Sequence, residues 1–495
     1  MRAPGWSSQE QIDTIVKNRT DKVSITVETI DLERTRTGHV VQLIRDRIDR
    51  RVLPPGARLP SVRAMAESTG FSKSTVVEAY DRLAADGAIR SRPGSGFYVA
   101  APLSPLSLDR IGAKSEREVD PLWMLRQSLN ERPDAVRPGC GWLPDSWMAS
   151  DSIRKALRSA ARGQGDGALT GYASLLGSPP LRLLLARRLE EQGVSASPDQ
   201  ILLTESSTQA LDLIARFLIE PGDTVLVDDP CYFNFLALLR AHRARVVGIP
   251  MTPHGPDMAA FAAAVAEHRP RFYLTNSAVH NPTGATVSAA TVHRLLKIAE
   301  AHDLVIVEDD VFGDFEHAPS PRLAAFDGLD RVIRIGSFSK SISAAIRCGH
   351  IAARPDWIDA LGDLRIATSM SGNPLSAQIL HSVLTDGSYR RQIEAMRARI
   401  ARATVRTLRR LRDAGLEPWI EPTAGLFVWA RLPGGLDAAA LARTALSDNI
   451  VLAPGNVFST SGMWGDYVRF NVVTSDDDRL SAFLATACQA RAEGL

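Results

Sequence analysis

Apolar positions recur at helical spacing in the first hundred residues and in short strand-like runs later. Residues 38 to 52 place Val40, Val41, Ile44 and Ile48 at helical spacing among Arg45, Arg47, Arg50 and Arg51, which predicts an amphipathic helix. Leu59-Pro60-Ser61 then sets an extended residue before a proline and a capping serine before VRAMAEST, which Gly70 ends. Ser72 caps a further helix over STVVEAYDRLAAD, with Val76, Tyr80 and Leu83 as its inward stripe and Gly87 as its stop. AIRSRPGSGFYVA carries two β-prone segments around Pro93-Gly94-Ser95-Gly96, a hairpin signature. Two helices joined by a tight turn and followed by a hairpin predict a winged helix-turn-helix over residues 38–100.

Residues 1–37 are polar without a clear period and receive no role. Residues 101–120, APLSPLSLDRIGAKSEREVD, lack apolar spacing and are expected to be a linker. From Pro121 the apolar pattern resumes and runs to residue 495. There QILLT, TVLVDDP, RVVGIP, RFYLTN, LVIVEDD and RVIRIGSFSK alternate with helical stretches, which predicts an α/β domain with a mostly parallel sheet. Polar residues cluster at the ends of these runs, where such sheets hold ligands.

Length and composition fit this division. A chain of 495 residues exceeds one ordinary core, and 45% hydrophobic with 23% charged residues is ordinary for a globular protein. Cys140, Cys231, Cys348 and Cys488 are scattered, which supports neither a metal site nor a disulfide framework and fits a reducing cytoplasm. No stretch suits a signal peptide or a membrane span. Net charge is only +2, yet Gly38 to Val99 holds ten Lys/Arg against six Asp/Glu. Positive charge is therefore concentrated where phosphate contacts would be needed.

The segment PPGARLPSVRAMAESTGFSKSTVVEAYDRLAADGAIRSRPGSGFYV resembles the GntR-type winged helix over its whole length. The resemblance implies contacts to double-stranded operator DNA from Arg58, Ser61, Arg63, Ser72, Lys73, Ser74 and Thr75, with Gly96 shaping the wing. Short polar side chains and cations at a recognition-helix N-terminus suit base edges and phosphates in the major groove.

TESSTQAL, DDPCY, NSAVHNPTG, EDDVFGDF and SFSK together resemble the fold-type I aminotransferases, over nearly all of residues 121–495. Behind a GntR-like module the arrangement is similar to the MocR/GabR regulators. The resemblance implies pyridoxal 5′-phosphate bound covalently by Lys340, with Asp309 on the pyridinium nitrogen and the neighbouring Asp310 as a one-residue alternative. It implies Asn281 on the phenolate oxygen and Tyr232 stacked on the ring. Ser206, Ser207 and Thr208 at a helix start, with Ser337 and Arg347, would cradle the phosphate. Tyr172 resembles a tyrosine that reaches the phosphate from the partner subunit, which implies a homodimer. Arg469 matches the arginine that holds a substrate carboxylate through a bidentate fork. Phe312 stands where many of these enzymes place a tyrosine, which argues against efficient transamination.

Three functions follow from the resemblance. The expected one is a DNA-binding transcription regulator that senses an amino acid or amine through an aldimine at Lys340, without being a physiological enzyme. The others are an aminotransferase with an accessory DNA-binding domain, and a regulator responding to pyridoxal phosphate itself.

Overall fold

The structure, a computed structural model, describes residues 35–49, 53, 56–86, 88–92, 95–100, 118–130, 132–162 and 170–492. Residues 1–34 of the N-terminal extension, residues 101–117 of the expected linker, the Gly87 stop and the Pro93-Gly94 turn lie outside them. Contacts divide the chain into two compact units, Met1–Arg117 and Glu118–Leu495.

In the first unit, helices Arg36–Asp49, Val62–Thr69 and Lys73–Ala85 precede the antiparallel strands β1 (Ile89–Arg92) and β2 (Gly96–Val99). Both serine caps form as expected. Ser61 accepts from the Ala64 N–H and Ser72 from the Thr75 N–H, satisfying donors the first helical turn cannot pair internally. Gly70 closes its helix with φ +71°, a conformation open to glycine at little cost. Val40, Ile44, Met65, Val76, Tyr80, Leu83, Ile89 and Val99 form the core, and the Tyr80 hydroxyl donates to the Pro60 carbonyl at 2.7 Å.

The second unit is built on an eight-stranded sheet of order β3-β10-β9-β8-β7-β4-β5-β6. Its strands are β3 (Ile201–Thr204), β4 (Thr224–Asp229), β5 (Arg245–Thr252), β6 (Gly255–Pro256), β7 (Phe272–Thr275), β8 (Val305–Asp309), β9 (Val332–Ser337) and β10 (Gly349–Ala352). β5, β4, β7, β8 and β9 pair in parallel, while β10 runs antiparallel to both β9 and β3. The expected six strands are all present, and β10 is an addition that leaves β3 pointing the same way as β9. Side chains alternate between two apolar layers. Ile306 and Tyr273 pack on one side, and Val307, Phe272 and Leu274 on the other, so these strands read as continuous apolar runs.

A smaller antiparallel sheet of order β11-β12-β14-β13 lies toward the C-terminus, from β11 (Glu417–Pro418), β12 (Phe427–Arg431), β13 (Ala453–Pro454) and β14 (Tyr467–Asn471). No helix among the described residues is long and apolar enough to cross a membrane, and no group of side chains among them suits a metal ion.

Candidate cofactor site and nucleic-acid interface

Strand direction gathers the polar residues of the second unit. β3, β4, β7, β8 and β9 end at Thr204, Asp229, Thr275, Asp309 and Ser337, and the segments after these ends meet along one edge of the sheet. β10 must pass close beside this edge. A Cβ on Gly349 would sit 3.0 Å from the Ser207 nitrogen and 2.7 Å from the Ser206 carbonyl carbon, so only glycine fits there.

Adjacent residues at the end of β8 have separate surroundings. Asp310 is buried between Arg334 and Arg322, and although burial pushes its carboxyl up, the two guanidiniums outweigh this and hold it below the ordinary range. Asp309 has no such partner. Its Oδ1 accepts from the Val311 N–H at 3.0 Å, and burial pushes its carboxyl up to about 7, with the Asp310 charge adding to the rise and Lys340 opposing it. Asn276 fixes the backbone beside it by donating to the Asp309 carbonyl at 3.0 Å.

Lys340 follows β9. Burial lowers its ammonium to about 8, helped by the positive charge of Arg469 and then of Arg347, while Cys140 and Asp309 oppose the fall. A lysine near 8 is partly unprotonated at neutral pH and is an available nucleophile. Arg469, on β14, is 1% exposed and its pKa falls to about 10 through burial. Its Nη1 donates to Asn281 Oδ1 at 2.8 Å and its Nη2 to the Gly139 carbonyl at 2.6 Å, and its Nε has no partner. Phe427, Phe458 and Phe233 surround the guanidinium at 4.3, 4.9 and 5.4 Å. Burial raises the Tyr232 hydroxyl, with Arg469 and Asp309 both within electrostatic reach. Lys340, Asp309, Asn281, Arg469 and Tyr232 thus share one locality.

Ser206 caps the helix Ser207–Leu218 by accepting from the Gln209 N–H at 3.1 Å. The Ser207 and Thr208 N–H groups are left as open donors of the first turn, a ready anion site. Ser337 bonds to Ser339 at 2.8 Å. Arg347 is exposed with φ +48°, its charge still reaching Lys340, and Tyr172 is 81% exposed. Phe312 is buried and packs edge-on against Phe427 at 5.4 Å.

Sequence reasoning passed over Gly139, Cys140, Asn276 and the three phenylalanines around Arg469. The closely spaced glycines of Pro138-Gly139-Cys140-Gly141 were the available signal, since a Cβ on Gly139 would lie 2.4 Å from the Ala453 nitrogen.

In the first unit, Ser61, Arg63, Ser72, Lys73 and Ser74 are exposed around two helix N-termini, with Thr75 half-buried beside them. Arg63 pairs with Glu67 at 3.1 Å on the surface, an interaction of little stability value. Arg58 is exposed and its backbone bridges to Tyr98, and Gly96 adopts φ +102° with the Arg58 guanidinium 3.7 Å from where its Cβ would be.

Residues 145–485 match the family described as aminotransferase class I and II, and residues 36–99 match the bacterial regulatory proteins of the gntR family. The chain is 30% identical over 452 residues to YdcR of Escherichia coli (strain K12), an uncharacterized HTH-type transcriptional regulator, covering 87% of this chain and 94% of that one. It is 28% identical over 415 residues to the probable rhizopine catabolism regulatory protein MocR of Rhizobium meliloti, covering 81% and 83%. Among solved structures, LysN, an α-aminoadipate aminotransferase of Thermus thermophilus complexed with N-(5′-phosphopyridoxyl)-L-leucine, superposes with a TM-score of 0.69 at 26% identity, over 79% of this chain and 100% of that one. The cofactor of the second unit is pyridoxal 5′-phosphate, and the donor set fits it. A buried carboxyl lacking a cation, a depressed lysine and open helix-start N–H groups complement a pyridinium, an aldehyde and a phosphate.

Proposed function

As the chain belongs to the aminotransferase class I and II family and carries a gntR-family module ahead of it, we propose that it is a cytoplasmic DNA-binding regulator whose pyridoxal-phosphate unit senses an amino acid or amine. The observation that carries this reading is the meeting of Lys340, Asp309, Asn281 and Arg469 in a chain that also folds a winged helix-turn-helix. When bound, pyridoxal phosphate supplies an aldehyde carbon that condenses reversibly with primary amines. Lys340 would present its amine to the cofactor, and Asp309 would pair with its ring nitrogen. The open N–H groups of Ser207 and Thr208, with Ser337 and Arg347, would hold the phosphate, and Tyr232 would stack on the ring. Asn281 orients Arg469, whose guanidinium takes the effector's carboxylate as a fork.

The exposed Tyr172 supports a homodimer in which the partner subunit's Tyr172 completes the phosphate site. Ser61, Arg63, Ser72, Lys73, Ser74 and Thr75 would meet operator DNA, with Arg58 and Gly96 at the wing. Effector binding regulates only if it favours one of two dimer states that differ in DNA affinity. Retention of both Lys340 and Asp309 favours a second reading, a working aminotransferase, but Phe312 places a buried ring and no hydroxyl beside Phe427.

Titrating the cofactor-loaded protein with amino acids and amines, while following cofactor absorbance and oxo-acid release, separates the readings. A saturable spectral change without stoichiometric oxo acid is expected. Stoichiometric oxo acid would establish the aminotransferase instead.

A further inference from the structure

Charge is unevenly placed on the second unit. Residues 118–495 hold 39 Lys/Arg against 42 Asp/Glu, a net negative balance. Within them the single helix Ser388–Asp413 carries nine arginines and only two acids, Glu394 and Asp413. Arg406, Arg410 and Arg412 are neutralised by Asp476, Asp478 and Glu421. Arg391, Arg402 and Arg409 are exposed and have no ion pair among the described residues. Their spacings of 11 and 7 residues put them on one face of the helix, roughly 16 and 10 Å apart at 1.5 Å per residue. Between them on that face lie Ala395, Ala398 and the exposed Val405, and the one acid nearby, the exposed Glu394, sits at the edge of the row three residues after Arg391.

A second basic element adjoins this helix. In Ser150–Arg162, residues Lys155, Arg158 and Arg162 line a shallow concavity of about 410 Å³ together with Ser159. The two helices are tied at their starts. Ser152 and Ser388 share a hydrogen bond of 3.0 Å, Gln392 donates to the Trp147 carbonyl at 3.5 Å, and Arg399 covers the Trp147 ring at 5.4 Å.

A run of surface arginines on a helix is ordinarily a solvated face balanced by nearby acids, as Arg406, Arg410 and Arg412 are. The unpaired members, in a unit of net negative charge, have no such explanation. We propose that Arg391, Arg402 and Arg409, with Lys155, Arg158 and Arg162 beside them, form a second, sequence-independent contact for the phosphate backbone of duplex DNA. This surface rests on the regulator reading above. A straight row of cations about 27 Å long, with Glu394 the single acid at its edge, presents a line of positive charge to the phosphate backbone of a duplex, and arginine is the side chain suited to phosphate oxygens.

The test uses full-length, cofactor-loaded protein and a duplex of about 30 base pairs with random sequence, its affinity measured across a salt series. In the triple variant Arg391→Gln, Arg402→Gln, Arg409→Gln the salt slope is expected to fall by about 0.9 per lost phosphate contact, between two and three in all. Affinity at low salt should fall tenfold or more. The corresponding lysine variant should keep most of the slope, and unchanged cofactor absorbance reports an intact unit. Should the glutamine variant lose that absorbance, Lys155→Gln, Arg158→Gln, Arg162→Gln reads the same question. An unchanged slope and affinity in an intact variant would overturn the proposal, and more so if Arg63→Ala weakens binding in the same assay. A wild-type protein that binds no duplex at low salt would overturn the regulator reading itself.

Discussion

Arg469 Nη1 donates to Asn281 Oδ1 across 2.8 Å, joining segments 188 residues apart in the chain. The guanidinium expected to hold a carboxylate is therefore positioned by the amide expected to touch the cofactor ring.

Arg469→Lys keeps a positive charge and removes the planar fork. Amino-acid binding, read by cofactor absorbance, should weaken on the order of 10- to 100-fold, as expected for the loss of a charge-assisted hydrogen bond. Simple amines without a carboxylate should bind as before. An equal loss for both would take Arg469 out of carboxylate recognition.

The raised Asp309 carboxyl makes a signed prediction for cofactor-free protein. Between the unfolded value near 4 and the folded value of about 7, the folded state holds the proton that the unfolded state has lost. This group's contribution therefore favours folding below pH 4 and is progressively lost as pH rises to 7. Asp309→Asn should flatten that part of the pH dependence in denaturant unfolding, a difference of up to about 4 kcal/mol between the two ends of the window. Identical profiles for variant and wild type would place the proton elsewhere.

Lys340→Ala removes the only amine among the residues named at the cofactor site. Effector-dependent changes in DNA affinity should vanish, while DNA binding without effector persists. If the response to added amino acid survived in this variant, covalent capture at Lys340 would not be the signal.

Arg63→Ala should weaken operator binding and lower the salt slope by about one if it touches a single phosphate. Its Glu67 partner is an exposed neighbour worth little, so stability should not change. Unchanged affinity and slope would remove Arg63 from the interface.

Much of this arrangement was legible because it is local. Ser61, Gly70 and Ser72 mark helix ends through hydrogen bonds and backbone angles that need nothing distant. The apolar runs of β7, β8 and β9 announce strands buried on both faces. What escaped depends on long-range pairing. β10 is four residues long and carries no strong pattern, yet its antiparallel course sets how β3 approaches the site. Asp309 and Asp310 could not be separated by sequence, because successive strand residues face opposite sides and only the finished sheet shows that Asp310 is taken by Arg322 and Arg334. Gly139 and the phenylalanines around Arg469 come from segments far apart in the chain.

The core of the first unit draws only on residues between Val40 and Val99, whereas the cofactor site joins Gly139 to Arg469. Synthesis proceeds from the N-terminus at about 5–20 residues per second. The DNA-binding core is therefore fully translated tens of seconds before Arg469 exists. A nascent or prematurely ended chain would therefore carry the whole winged helix-turn-helix core while the cofactor site was still incomplete.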